Sequence, residues 1–199
     1  MFKENRSIKI TDDVLNLKAA TSATVIFRDC SDSDDCLVEL SSDKPFDNLK
    51  IASEDGALTV SSASEYSLGT IVDAFADAVK GNFDSLKGIA TDPTSVRLEV
   101  SVPKSVKKIN LKLNKGTVEF SSKHAKKFDF KINSGTCQLN LTPDFKSCEA
   151  RINSGVCNVQ KNGFSGLIKA KVRNSVVYEK GDEDSGSVEI KINNGVFNI

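Results

Sequence analysis

The sequence predicts a mainly β protein, a β-solenoid or β-helix-like stack of ~20-residue rungs with one inserted amphipathic helix. Three observations lead to this fold class: a regular repeat in the C-terminal half, alternation of apolar and polar residues within each repeat, and a single segment of helical periodicity. The 199 residues are 39% hydrophobic and 27% charged, which suits a soluble globular chain. We expect one β-solenoid domain over 1–199, with irregular strands over 8–62, the helix over 68–88 and regular repeats over 95–199.

The N-terminal part carries looser strand signals. Short alternating segments begin at Val14, Ala23, Cys36, Leu49 and Ala57, and acidic turns or the Asp55-Gly56 dipeptide separate them. Their register is less regular than in the second half. We therefore expect irregular rungs or hairpin pairing in this part of the chain.

One segment between the two halves has the pattern of a helix. Its apolar residues recur at steps of three and four along one face, namely Ile71, Phe75, Val79, Phe83 and Leu86. Thr70 with Asp73 gives a helix start signal, and Gly88 follows the end. We expect this helix to pack its apolar face over the side or end of the stack.

Five segments of the C-terminal half superimpose without gaps. They are LKLNKGTVEF from Leu111, FKINSGTCQL from Phe130, ARINSGVCNV from Ala150, AKVRNSVVYE from Ala170 and IKINNGVFNI from Ile190. Each contains two short alternating strands joined by a turn of Asn-x-Gly type, in which glycine accepts a positive φ. Because neither strand can bury its apolar edge alone, successive units should stack, with like residues over like residues.

An asparagine column and a glycine column mark the turn of these units. Side-chain amides stacked in this way can hydrogen-bond along the stack, which makes the asparagine column a structural device. The fourth unit departs from the pattern, because Arg173 replaces the asparagine and Ser175 replaces the glycine. We expect a bulge or an outward swing there. The asparagine column consists of Asn114, Asn133, Asn153 and Asn193.

The run VRLEVSVPKSVKKINLKLNKGTVEF from Val96, followed by the units from Phe130 and Ala150, resembles the bacterial putative-adhesin β-strand-repeat family. The resemblance covers residues 12–62 and 95–199 and leaves the helical segment outside. It implies a β-solenoid, a loose link to cell surfaces and no known activity. The family's motif residues are structural, so the resemblance supplies no catalytic position.

A column of basic residues occupies the same outward position in all five units. It consists of Lys112, Lys131, Arg151, Lys171 and Lys191. Stacked at ~4.8 Å, these side chains would form a groove for a polyanion such as an acidic glycan. The alternative is a salt-bridged solvated face, because the adjacent column offers the carboxylates of Asp129, Glu149 and Glu189. No aromatic residue interleaves with the cations, which argues against single-stranded nucleic acid.

The last unit presents apolar residues with no further unit to cover them. An uncovered end of a stack is a template for another strand, so we expect a homo-oligomer that assembles through this end. The alternatives are that the helix folds over this end or that the sequence is truncated there. The residues of this assembly end are Ile190, Ile192, Phe197 and Ile199.

No catalytic constellation is present, and we expect no enzyme activity, no cofactor and no metal. His124 is the single histidine and has no nucleophile setting around it. With 27 basic and 27 acidic residues, the chain has no overall attraction to nucleic acid. No segment approaches the ~20 apolar residues of a spanning helix, so we expect no membrane insertion.

The start of the chain, MFKENRSIKI, lacks the apolar core of a signal peptide. Together with cysteines expected as free thiols, this favours the cytoplasm, unless a leader has been removed. In an exported protein, Cys30 and Cys36 would be placed to close a hairpin disulfide. The primary hypothesis is a non-catalytic structural or adhesin-like module for binding or self-assembly. The alternative is a carbohydrate- or polyanion-binding module that uses the basic column.

Overall fold

A computed structural model describes residues 1–30, 33–62 and 95–199 of the chain. These residues form a mainly β protein, as predicted, in which twelve strands make one open sheet. The expected helix over 68–88 lies outside the described residues. Within them, the only helical elements are two 3-10 turns, at Phe46–Asn48 and Glu183–Ser185. The strands are β1 (Phe2–Ile8), β2 (Val14–Asp29), β3 (Cys36–Ser42), β4 (Leu49–Glu54), β5 (Ala57–Ser62), β6 (Ser95–Val102), β7 (Lys108–Ser121), β8 (Lys127–Asn140), β9 (Ser147–Gln160), β10 (Leu167–Val172), β11 (Ser175–Glu179) and β12 (Ser187–Asn198).

The first three repeats lie side by side as the long strands β7, β8 and β9. They are parallel and in register one repeat apart, so that Lys112 pairs with Lys131 and Lys131 with Arg151. Each strand contains the whole repeat and turns at its glycine. We call the part before this corner the first leg and the part after it the second leg. Alternate residues of both legs point inward and are buried, which gives the period-two pattern its physical cause.

The corner requires glycine for reasons of space as well as conformation. Gly116, Gly135, Gly155 and Gly195 have φ between 136° and 157°, where residues with a Cβ are strained. A Cβ at Gly135 would lie 1.8 Å from the carbonyl oxygen of Gly116, and one at Gly195 would lie 1.7 Å from that of Gly155. The corners of neighbouring strands therefore approach each other through bare backbone.

A third apolar column, which the sequence analysis missed, lies in the connections between repeats. Val106, Ala125, Phe145 and Phe164 are buried and recur at the repeat spacing. The connections also follow one another in register, since the Lys126 N–H donates to the Lys107 carbonyl at 2.8 Å. Residues of both legs and of the connections thus belong to one hydrophobic core.

Phenylalanine rings from the legs and the connections meet in this core. The rings of Phe120 and Phe128 stack at 4.4 Å between centroids, and Phe145 contacts Phe120 edge-on at 5.8 Å. Such pairs stabilise the core beyond the area that they bury.

The N-terminal strands continue the stack in an interrupted form. β2 pairs with β7 along both legs, while its other edge pairs with β5 on the first leg and with β6 on the second. Strands β5 and β6 therefore together occupy one position beside β2. Beyond them, β3 pairs antiparallel with β6, β1 pairs antiparallel with β3, and β4 pairs antiparallel with β5.

The expectation that the five units stack in chain order is wrong for the last two. β12 lies between β9 and β10, so Ile190 pairs with Ala150 on one side and Ala170 on the other. The cause lies in the fourth unit, because a serine Cβ would not fit at the glycine column. That unit instead turns back after Arg173, which has φ 51°, and β10 and β11 form an outer hairpin. The expected outward swing is thus present, and the fifth unit takes the place on β9.

Candidate functional site

The basic column is present on the outer face of the first legs. In space its order is Lys112, Lys131, Arg151, Lys191, Lys171, because β12 precedes β10 in the sheet. The column also has a member that the sequence analysis missed, since Lys18 of β2 pairs with Lys112. The signal was the likeness of LNLK, ending at Lys18, to INLK, ending at Lys112. The basic column, as used below, includes Lys18.

Partial burial and mutual repulsion destabilise the charged form of the lysines at one end of this column. Burial and the neighbouring Lys112 lower the pKa of Lys18 from its usual 10.5 to about 7. The pKa of Lys112 is lowered by burial and by Lys131, and that of Lys131 by burial and by Arg151. A bound anion would relieve this repulsion, which is the behaviour expected of an anion-binding surface.

The column of side chains two residues before the cations changes from neutral to acidic along the sheet. Beside Lys18 and Lys112 it is neutral, because Asn110 Nδ2 donates to Asn16 Oδ1 at 2.8 Å. Further along it becomes acidic, with Asp129, Glu149 and Glu189 followed by Lys169.

The predicted pairing of these carboxylates with the basic column is found at Lys191, whose Nζ lies 3.2 Å from Glu189. Asp129 instead pairs with Lys108 at 2.8 Å, outside the basic column. The carboxylates beside the basic column therefore form ion pairs both with it, at Lys191, and outside it, at Lys108.

The asparagine ladder on the other side is confirmed. The side-chain amide of Asn133 donates to Asn114 at 3.3 Å, Asn153 to Asn133 at 3.2 Å, and Asn193 to Asn153 at 3.0 Å. The ladder follows the spatial order of the strands and therefore passes from the third unit directly to the fifth. It holds the corner amides in a row parallel to the basic column.

An open groove of about 360 Å³ lies between the basic column and the neighbouring column of Asn110, Asp129, Glu149 and Glu189. Its lining includes Asn110, Lys112, Lys131, Arg151 and Lys191, together with the acidic column. A groove that runs across the strands in this way suits an extended ligand better than a compact one.

The Lys18 pKa predicts how stability depends on pH. Because Lys18 releases its proton at a lower pH in the folded than in the unfolded chain, the unfolded chain binds more protons between about pH 7 and 10.5. The penalty is fully present below about pH 7, and the free energy of unfolding increases as the pH rises. After solvent screening we expect a gain of about 1 kcal/mol between pH 6.5 and 8.5.

Urea unfolding of the wild type and of Lys18→Met at these two pH values measures this gain. The variant should lose it. Burial, with Cys30 and Asp35 nearby, raises the pKa of the Cys36 thiol to about 12. Above about pH 9 this thiol would ionise in the unfolded chain only, which would lower the free energy of unfolding. Both measurements are therefore made below that pH. An equal gain in both proteins would assign the pH dependence to other groups.

The predicted assembly end is only partly at the surface. Ile190 and Ile192 are buried because β10 covers the first leg of β12, so their inclusion in an uncovered end is wrong. Phe197 is half-buried and Ile199 is exposed. Exposed apolar residues also occur on β11, at Val176, Val177 and Tyr178. Assembly through this end stays a prediction.

The single histidine belongs to an ordered connection. His124 Nδ1 lies 2.9 Å from the Val102 carbonyl oxygen, and the Ser122 hydroxyl donates to Asp29 at 2.6 Å. Burial alone would raise the pKa of Asp29, but the hydrogen bonds from Ser122 and from the backbone of Lys123 and His124 lower it. These contacts hold the connection in place.

Neither a metal centre nor a disulfide is formed by the described residues. Their His, Cys, Asp and Glu side chains make no group of three or more that could hold a metal ion. All five cysteines are thiols, including Cys30 and Cys36. No helix in the described ranges is long and apolar enough to span a membrane.

Comparison with known proteins gives relatives by fold only. No family model matches the chain, and no curated protein matches it. The chain is similar to the crystal structure of a putative cell adhesion protein from Clostridium sporogenes, with 15% identity, a TM-score of 0.62, and coverage of 100% of this chain and 98% of that one. A putative adhesin from Bacteroides fragilis matches at 13% identity and a TM-score of 0.37, over 100% and 97% of the two chains. A putative lipid binding protein from Parabacteroides distasonis matches at 16% identity and a TM-score of 0.32, over 98% and 94%.

Proposed function

We propose that this protein is a non-catalytic, adhesin-like binding module whose recognition surface is the basic column, and that its ligand is a linear polyanion. The observation that carries this proposal is the register of basic residues on six adjacent strands, from Lys18 to Lys171. At ~4.8 Å per strand the column is on the order of 24 Å long. The fold neighbour from Clostridium sporogenes, named a putative cell adhesion protein, supports a binding role.

The electrostatics favour a ligand with many charges over a single anion. Each half-exposed cation attracts one anion only weakly in water, but a polymer engages several cations once it is held at one of them. Its binding also releases counterions, so the affinity should fall steeply with salt. The lowered pKa values of Lys112 and Lys131 mean that a bound polyanion also relieves repulsion within the column.

We also propose that the repeats coil as a β-solenoid. The in-register first legs, second legs and connections support this architecture. A rigid stack keeps the cations at a fixed spacing, which lowers the entropy lost on binding a regular polymer. Self-assembly through the end formed by β11 and β12 would leave the basic column accessible to a ligand, because the column lies on the outer face of the first legs.

Retention on immobilised heparin, which is used here only as a generic polyanion, tests the proposal. We expect the protein to bind at 50 mM NaCl and to lose about 100-fold or more in affinity by 200 mM. A protein of the same zero formal charge without such a column should pass through at either salt concentration. The proposal would be falsified if this protein did so too, or if its binding did not depend on salt.

A further inference from the structure

We infer that the polyanion is a carboxylate-bearing polysaccharide, a polyuronate, rather than a phosphate polymer or a nucleic acid. This inference rests on the proposed function and names the ligand class of the same site. Three features of the outward face support it: the spacing of the cations, the two columns beside them, and one exposed aromatic ring at the end of the basic column.

The spacing of the cations suits a chain of sugar rings. One basic side chain is presented per strand, every ~4.8 Å, and extended pyranose rings repeat at close to this step. In duplex nucleic acid the phosphates of each strand follow at ~3.4 Å along the axis, so most of them would fall out of step with the column. A periodic ligand stays in step with a rigid column only when the two repeats agree.

The flanking columns select for hydroxyl groups. Asp129, Glu149 and Glu189 can accept hydrogen bonds from sugar hydroxyls, whereas an inorganic phosphate chain has no hydroxyl donors along its length to offer them. In the asparagine ladder, each amide has two N–H groups and donates only one of them to its neighbour, as Asn153 does to Asn133. The second N–H is therefore available for a hydroxyl or carboxylate oxygen.

An aromatic ring stands beside the far end of the basic column. Tyr178 of β11 pairs with Lys169, and Val176 pairs with Lys171, so both side chains share the outward face with the cations. Tyr178 is 54% exposed. The C–H face of a pyranose packs well on such a ring. A single ring at one end does not provide the successive stacking platforms that single-stranded nucleic acid uses.

The test compares two soluble polymers, polygalacturonate and inorganic polyphosphate, matched in number of charges, against the full chain at one salt concentration. Dextran serves as the neutral polymer. We expect polygalacturonate to bind about tenfold more tightly than polyphosphate, and dextran not to bind. Tyr178→Ala should weaken polygalacturonate binding by about threefold to tenfold and leave polyphosphate binding unchanged.

The matched control is Val177→Ala, an exposed residue on the other face of the same strand, which should change neither affinity. If polyphosphate bound equally or more tightly, or if Tyr178→Ala had no effect on polygalacturonate binding, the inference of a polyuronate ligand would be wrong. The proposed polyanion-binding function would not be affected by either result. If neither charged polymer bound, the proposed function would fall and the inference with it.

Discussion

Gly135→Ala is expected to unfold the repeat stack. The new Cβ would lie 1.8 Å from the carbonyl oxygen of Gly116, so the two corners would have to separate. Separation would break the ladder between β7 and β8 on both sides of the corner, and φ 155° is also strained for alanine. Backbone displaced in a packed stack has few ways to adjust, and we expect a loss of at least about 4 kcal/mol in the free energy of unfolding.

Urea unfolding followed by circular dichroism measures this loss. The matched control is Ser134→Ala, which changes the adjacent residue of the same corner, where the side chain is half-buried. We expect it to remain within about 0.5 kcal/mol of wild type. Similar unfolding midpoints for Gly135→Ala and wild type would mean that the corners do not approach as closely as described.

The second large effect is expected from reversing charge at the centre of the basic column. In the double variant Lys131→Glu, Arg151→Glu, two attractions for a polyanion become two repulsions, next to the carboxylates of Asp129 and Glu149. We expect heparin affinity at 50 mM NaCl to fall by about 100-fold or more, and the salt dependence to become shallower. The fold should persist, because neither side chain is buried and Lys131→Glu replaces a repulsion on Lys112 with an attraction.

The matched control changes the charge by the same amount elsewhere. Lys104→Glu with Lys146→Glu places the new carboxylates in exposed connections between strands, outside the basic column. This variant should retain most of the heparin affinity. If both double variants lost affinity equally, net charge and not the column would govern binding.

Much of the regular stack could be predicted from sequence because each column repeats one chemical requirement. The asparagine at the turn predicted the ladder from Asn114 to Asn193, and the following glycine marked the corner. Alternation predicted which residues are buried, and the cations were placed on one outward face. These features depend only on local period and on stacking in register, which a sequence displays directly.

What the sequence did not reveal depends on pairing between distant segments. Ser175 signalled that the fourth unit differs, but only the crowded glycine corner explains why β12 displaces β10 from β9. Lys18 was missed because β2 has no Asn-x-Gly turn to set its register. Phe145 and Phe164 were missed because the connections lack strand alternation.

The position of β12 has a consequence for the order in which the chain is completed on the ribosome. β10 and β11 leave the ribosome before β12, yet among the described strands β10 pairs only with β11 and β12. Until the last twelve residues of the sheet, Ser187–Asn198, have emerged, the hairpin has no place to dock and the edge of β9 stays open. β9 and the hairpin of β10 and β11 are therefore joined in one step, in which a single strand connects two pieces that were made before it.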